Sequence, residues 1–378
     1  MMTEKEKEKY KKHTKKLKKM SKKLPKRAIF TEYGNDVWNC VPLGISLNDK
    51  KKKSIMGWWL NDQNHDKVIG YFDKAIPSTS LLICGGTGSG KSVVEGGIIE
   101  HINKFKSKFQ LVGVDLKRVE FMRKTDKMNG LITDVWGTAE AVDILQNIMM
   151  QRFTFMKSHQ VNTIYKLNSS KIEVDYYKVA GIGEYQFDEI MSVELPIDTS
   201  DVKRYERYKN LYRAETRPTI RTIESIYNDL KNETYKKIMI NGQSIALKDI
   251  KPFKGQYIPK AIVLMIDELA EVMCSDDHKS VDTIKKGLGS VARLGGASGV
   301  HLVLACPRAS GSVISSDLMN NLQMKILLGC FNDEASEFIF DKDVSDLCTP
   351  GLRGRGFVST GRFIVETQMF IGGVNYFI

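Results

Sequence analysis

The chain has 378 residues, 42% of them hydrophobic and 27% charged, ordinary values for folded soluble material and enough for one large domain with additions. Its net charge of +12 is unevenly placed: residues 1–27 hold 13 of the 57 Lys/Arg and 3 of the 45 Asp/Glu, a net of +10 that leaves +2 for the rest. No apolar run approaches the ~18 residues of a membrane span, the lysine-rich start is unlike a secretory signal, and six scattered cysteines without a C-x-x-C pair point to a reducing cytoplasm. The six histidines are also dispersed, so no zinc site is expected.

Residues 1–27 are too poor in apolar side chains to bury a face, which predicts a disordered or solvated-helical basic tail. Tethering to nucleic-acid phosphates, plain solubilisation and contact with an anionic membrane surface all fit such a tail. Residues 28–80 read as a lead-in, containing Val41-Pro-Leu-Gly-Ile45 and a lysine run from Lys50 to Lys53.

From Leu81 the pattern becomes strand–helix alternation, as an α/β sheet requires. Leu81 to Cys84 form an apolar strand. The next eight residues, Gly85, Gly86, Thr87, Gly88, Ser89, Gly90, Lys91 and Ser92, fit G-x-x-x-x-G-K-[ST] without a gap. Val93, Val94, Ile98, Ile99 and Ile102 then recur at roughly helical spacing. Strand, glycine-rich loop and helix in that order make a phosphate cradle: glycines turn backbone N–H groups inward, and the helix adds its positive N-terminal end. Lys91 is expected to reach the β- and γ-phosphates of ATP and Ser92 to sit on Mg²⁺.

Phe109 to Asp115 is a second predicted strand. Trp136-Gly-Thr138 is expected to cap a long helix whose stripe Val142, Leu145, Met149, Phe153 and Met156 faces the core. Residues 81–169 thus form the first part of the ATPase domain. Across 170–258 the rhythm lapses, and this stretch reads as an insertion. Within it Tyr205, Tyr208 and Tyr212 share a helical face beside Arg204, Arg207 and Lys209, a pattern open to nucleic-acid stacking but more simply read as tyrosines docked on the body.

Residues 259–378 resume the sheet. The apolar run Ala261 to Ile266 ends in Asp267-Glu268, the Walker B pattern: Asp267 is expected to support the metal and Glu268 to deprotonate the attacking water. Gly299 to Cys306 and Met324 to Cys330 are further strands, and Gly351 to Ile378 reads as a closing pair. No N-K-x-D element is present, which argues against a GTPase. The cassette-like Leu294-Gly-Gly-Ala-Ser-Gly299 follows Walker B instead of preceding it, which argues against an ATP-binding cassette.

Several of these segments together resemble the motor domain of FtsK/SpoIIIE DNA translocases, within the FtsK–HerA group. Leu81 to Ser92 is similar to that family's Walker A segment, and Val114-Asp115-Leu116-Lys117-Arg118-Val119-Glu120-Phe121 to its Asp–Pro–Lys–x–x–Glu–Leu motif. Met150 to Met156 with Val161 to Tyr165, Ile262 to Glu271, Ser298 to Ala305 and Pro350 to Gly356 resemble later motifs in the family's order. The resemblance covers roughly residues 41–170 and 259–378. It departs where the family has Thr–Gln–Arg–Pro and this chain has Cys306-Pro307-Arg308-Ala309, and where Glu337 stands in place of a frequent arginine.

The resemblance implies a RecA-like P-loop α/β fold with a central, mostly parallel sheet. It implies an ATPase that assembles as a ring, a hexamer, and pulls double-stranded DNA through its centre, with a DNA-processing or portal protein as a further partner. An arginine from the neighbouring copy would complete each site, with Arg293 and Arg308 as candidates. The segment Ser310 to Ser316 would face the channel, making Ser310 and Ser312 candidate DNA contacts. Without the membrane helices and winged-helix reader of cellular relatives, such a chain is expected to be a soluble, cytoplasmic motor of a mobile element. A protein-secretion motor of the same superfamily and a DNA-binding ATPase switch are the other readings.

Overall fold

The computed structural model describes residues 38–46, 55–61, 74–167, 172–196, 206, 216–308, 310–329, 331–347, 353–359, 363–371 and 376–377. The basic tail and the tyrosine-bearing stretch around Tyr205, Tyr208 and Tyr212 lie outside them.

Strands β1 (Cys40–Ser46), β2 (Ile55–Trp59) and β3 (Lys74–Pro77) precede β4 (Ser80–Gly85), helix α1 (Lys91–Lys104) and β5 (Phe109–Val114). A short β6 (Gly130–Ile132) and the long α2 (Val135–Ser158) follow. Then come β7 (Glu173–Val179), β8 (Gly183–Gln186), β9 (Ile190–Pro196), β10 (Thr216–Thr222), α3 (Ile223–Lys231), β11 (Ile238–Ile240), β12 (Gln243–Ile245) and β13 (Ile250–Gln256). The chain continues through β14 (Ala261–Ile266), α4 (Leu269–Met273), α5 (His278–Ser298), β15 (Val300–Cys306), α6 (Ser316–Asn321) and β16 (Met324–Leu328). It closes with α7 (Asp333–Phe340), β17 (Arg355–Ser359), β18 (Ile364–Ile371) and β19 (Tyr376–Phe377).

The central sheet runs β3-β2-β1-β18-β17-β16-β4-β15-β14-β5-β6, with β19 paired to β18. From β16 to β6 every pairing is parallel. Every residue of β4, β5, β14 and β15 is buried, as parallel strands covered on both faces must be. Successive residues feed two separate cores. Leu81, Ile83, Leu111, Val263 and Val303 join one with Ile98, Ile99 and Ile102 of α1. Leu82, Val112, Leu264 and Leu304 join the other with Leu145 of α2 and Ile284 and Leu288 of α5. A period of two therefore sorts side chains between the helix layers of an α/β/α sandwich.

Three sequence expectations need correction. The cap of α2 is Asp134, whose Oδ1 accepts from Gly137 N at 2.6 Å; Thr138 instead turns its Oγ1 back to Asp134 O. The segment read as a lead-in supplies β1, β2 and β3, which extend the P-loop sheet through the antiparallel β1–β18 pairing. The segment Ser310 to Ser316 is only partly an outward loop: Val313 and Ile314 are buried, and Ser315 Oγ caps α6 by accepting from Leu318 N.

Between α2 and β14 the chain builds two smaller sheets, β10-β9-β11-β12 and β13-β7-β8. A buried ion pair fastens this region to the body. Arg152 of α2 donates from Nε and Nη2 to Asp188 Oδ2 at 3.0 and 2.8 Å, and from Nη1 to the carbonyl of Ser298 at 2.8 Å. Tyr257 OH donates to the same Asp188 oxygen at 2.9 Å. Among the described residues, no helix is long and apolar enough to cross a membrane.

Candidate functional site

Parallel strands deliver their C-terminal ends to one edge of a sheet, where the loops that follow build ligand sites. Here that edge collects the ends of β16, β4, β15, β14 and β5. The loop Gly85 to Gly90 leaves β4 with Gly88 at φ 76° and Gly90 at φ 111°, left-handed values that glycine adopts without a Cβ clash. A Cβ on Gly85 would lie 2.6 Å from Ser89 Oγ and 2.7 Å from Leu328 O. Gly90 is the N-cap of α1, so that helix begins at Lys91. The Lys91 ammonium, nearly buried, donates to Gly85 O at 2.6 Å.

The far end of the chain braces this loop. Gly354 N donates to Ser89 O at 2.8 Å, and Gly329 N donates to Arg355 O at 2.8 Å. Gly354 and Gly329 both take positive φ. The glycine–arginine signature ending at Gly356 therefore touches the phosphate loop, a contact between residues some 265 positions apart that local sequence patterns do not register.

Across β15 stands a cluster of acids. The register Val114↔Ile266 sets the ends of β5 and β14 side by side, so Asp115 and Asp267 leave adjacent strands. Asp267 is 4% exposed, and its carboxyl is pushed up to about 6 by burial, then by the Glu268, Asp115 and Glu120 carboxylates, with Lys91 opposing. Asp115 Oδ2 accepts from Val119 N and Phe121 N, both at 2.9 Å, while its Oδ1 is buried without a hydrogen-bond partner. Glu95, one turn beyond Lys91 on α1, is fully buried, and neither carboxylate oxygen has a hydrogen-bond partner. Burial first, then Asp267 and Glu120, hold it well above the usual carboxylate range. Its position within the apolar stripe of α1 hid it from sequence reasoning.

Glu268 adopts a left-handed backbone (φ 54°, ψ 57°) at the N-cap of α4. A non-glycine residue in that region costs of order 1–3 kcal/mol and persists where the surroundings enforce it. Its Oε1 lies 3.6 Å from Lys117 Nζ, which is also 3.4 Å from Glu271 Oε1.

A cavity of about 820 Å³ adjoins the loop, bordered by Gly85, Gly86, Arg308, Ser310, Phe331 and Phe338. That size is within the range of small-molecule sites. Arg308 is exposed at its rim, and Pro307 also lines it. Ser310 Oγ and Ser312 Oγ are 2.9 Å apart, with Ser312 exposed. Arg293 is exposed on α5 and does not border the cavity, and Glu337 is exposed on α7.

Among the described residues, no group of three or more His, Cys, Asp or Glu side chains is arranged to hold a metal by itself. A magnesium ion shared with nucleotide phosphates needs only one or two carboxylates. The buried Asp267, the orphaned Asp115 oxygen and the Ser92 hydroxyl in the first turn of α1 suit such an ion.

The parallel sheet, the glycine loop opening a helix and the acids at neighbouring strand ends define a RecA-like P-loop ATPase. The sequence model of the FtsK/SpoIIIE family matches residues 50–311, and the chain belongs to that family. No curated protein matches the sequence. Similar solved structures include EssC (ATPases 2 and 3) from Geobacillus thermodenitrificans, 13% identical over 89% of this chain and 45% of that one, with a TM-score of 0.53. The cytoplasmic domain of the Thermomonospora curvata Type VII secretion ATPase EccC is 14% identical over 93% of this chain and 30% of that one, with a TM-score of 0.50. The pCW3 conjugation coupling protein TcpA is 20% identical over 78% of this chain and 61% of that one, with a TM-score of 0.49. The chain spans less than two thirds of each of these, and at such identities the likeness speaks to the fold alone.

Proposed function

We propose that this chain is an ATP-driven motor that moves double-stranded DNA, working as a ring of identical copies, a hexamer. The observation that carries the reading is the meeting, at one sheet edge, of a phosphate loop with Lys91 and two successive acids, the buried Asp267 and the half-buried Glu268, in a chain of the FtsK/SpoIIIE family. Gly85 to Gly90 would wrap the triphosphate, and Lys91 would leave Gly85 O to meet the β- and γ-phosphates. Ser92 and Asp267 would hold Mg²⁺, which when bound offsets charge on the phosphate oxygens. Glu268 would take the proton of the attacking water. The cavity lined by Phe331 and Phe338 is roomy enough for the nucleoside.

Arg308, exposed at the cavity rim, is better placed than Arg293 to complete a site, whether its own or a neighbour's. Ser310 and Ser312 are the proposed DNA-backbone contacts, through phosphate oxygens and without base reading. Ser310 borders the same cavity as Gly86, so nucleotide and DNA would act on one loop. We assign residues 81–169 and 259–378, together with strands β1–β3 that extend their sheet, to the motor body and 170–258 to an inserted accessory region. A DNA-processing or portal protein partner and a cytoplasmic setting complete the reading.

The test is ATP turnover by purified protein with and without long duplex DNA. Stimulation of tenfold or more by duplex, lost at high salt as phosphate contacts require, is the expected result. Stimulation only by a protein substrate would favour secretion, and a slow rate unchanged by either would favour a switch.

A further inference from the structure

The segment Val114 to Phe121 resembles a family motif, yet the proposed function has so far used none of its exposed side chains. Its geometry is specific. Asp115 Oδ2 accepts from Val119 N and Phe121 N, and the Phe121 ring is fully buried, so the segment is pinned at both ends. Between those anchors Lys117 extends across to the N-terminus of α4 and meets two carboxylates one helical turn apart, Glu268 and Glu271. An ammonium gains nothing from a helix N-terminus, whose partial charge is positive. The two carboxylates must therefore hold it there.

The two oxygens of Glu268 are not equivalent. Oε1 faces Lys117, whereas Oε2 is buried and has no hydrogen-bond partner among the described atoms. The left-handed backbone of Glu268 adds a second constraint on where its carboxylate lies.

We propose that Lys117 is the positioning residue for Glu268: it holds Oε1 and so fixes Oε2 as the oxygen that accepts the proton from the attacking water. This rests on the reading of Glu268 as the base. In the step, the water O–H bond breaks and its proton passes to Oε2. The water oxygen bonds to the γ-phosphorus, and the bond from that phosphorus to the β-phosphate oxygen breaks, leaving ADP. Glu271, 3.4 Å from the same ammonium and more exposed than Glu268, shares it from the solvent side. A base held by a third group is the general arrangement for an oriented proton acceptor.

The test compares Lys117→Ala, Lys117→Arg, Glu271→Gln, Glu268→Gln and the double variant Lys117→Ala/Glu268→Gln. The readouts are kcat and KM for ATP, the Kd of a fluorescent ATP analogue and the melting temperature. Lys117→Ala is expected to lower kcat about fivefold, the scale of an exposed ion pair. KM, analogue affinity and melting temperature should stay near wild type. Lys117→Arg should restore most of kcat, Glu271→Gln should change it less than twofold, and Lys117→Ala should add nothing once Glu268 is Gln. An unchanged or raised kcat in Lys117→Ala overturns the proposal, as does a loss that appears in KM or that arginine fails to restore. Persistent turnover in Glu268→Gln would instead overturn the reading of Glu268 itself, and the two failures are told apart by that variant alone.

Discussion

Replacing Asp267 with asparagine probes the electrostatics of the site without changing its shape. In the nucleotide-free chain the Asp267 carboxyl is raised from 3.8 to about 6, first by burial and then by three neighbouring carboxylates. A raised carboxyl binds its proton more tightly in the folded than in the unfolded state. Between those two values the native state therefore holds more protons, and stability falls as pH rises. At about 1.4 kcal/mol for each pKa unit, the aspartate lowers stability by about 3 kcal/mol once pH exceeds about 6. Asparagine cannot ionise and escapes this. The variant should match wild type near pH 4 and exceed it by up to about 3 kcal/mol at pH 7.5. Urea unfolding of both proteins at the two pH values, without nucleotide or divalent metal, measures the difference. Glu95, whose raised carboxyl acts in the same direction, is held up in part by Asp267, so its own share of the pH slope also falls in the variant and adds to the difference. The same variant should turn over ATP poorly. Equal pH slopes in the two proteins, or an asparagine variant less stable at pH 7.5, would refute the reasoning.

Two predictions concern the scaffold. A Cβ at Gly287 would lie 2.0 Å from Val142 Cγ1 where α5 crosses α2, so Gly287→Ala should destabilise by about 1–3 kcal/mol in thermal unfolding. Adding Val142→Ala should recover part of that loss; no recovery would place the strain elsewhere. Arg152→Ala leaves the Asp188 carboxylate buried without its guanidinium and should cost about 3–5 kcal/mol by urea unfolding, with partial recovery on adding Asp188→Asn. A loss under 1 kcal/mol would mean that the region built on β7–β13 is held by other contacts.

The parts of the fold legible in the sequence are those in which local physics and tertiary environment agree. Leu81 to Cys84 and Ala261 to Ile266 are unbroken apolar runs because both faces of a central parallel strand are covered, and such runs announce themselves. The first strands were not legible. β1 carries Pro42 and Gly44 at an irregularity in its register and pairs with β18, over 300 residues away, while β2 and β3 join the sheet through β1. β6 spans only Gly130–Ile132, too short to show a period. Asp134 caps α2 where the sequence also offers Thr138, four residues later, because both residue types suit helix starts.

The site divides in the same way. The phosphate loop is local, since its glycines, lysine and serine lie within eight residues, and the Asp267-Glu268 pair is local to one strand end. Contacts that shape them are not. Gly354 against Ser89, Lys117 against Glu268 and the burial of Glu95 beneath Lys91 each need the chain to be folded before they exist. Glu95 is the sharpest case. A lone glutamate among Val94, Ile98 and Ile99 reads as a solvent-facing residue, and only the packing of α1 against the sheet turns it inward.

Motion along duplex DNA is most directly tested by displacement of a third strand from a triplex-bearing duplex, with wild type and Lys91→Ala compared under conditions where wild type turns over ATP. Stripping that requires ATP and wild-type Lys91 is the expected result. Equal stripping by both proteins, or none by wild type while ATP is consumed, would contradict it.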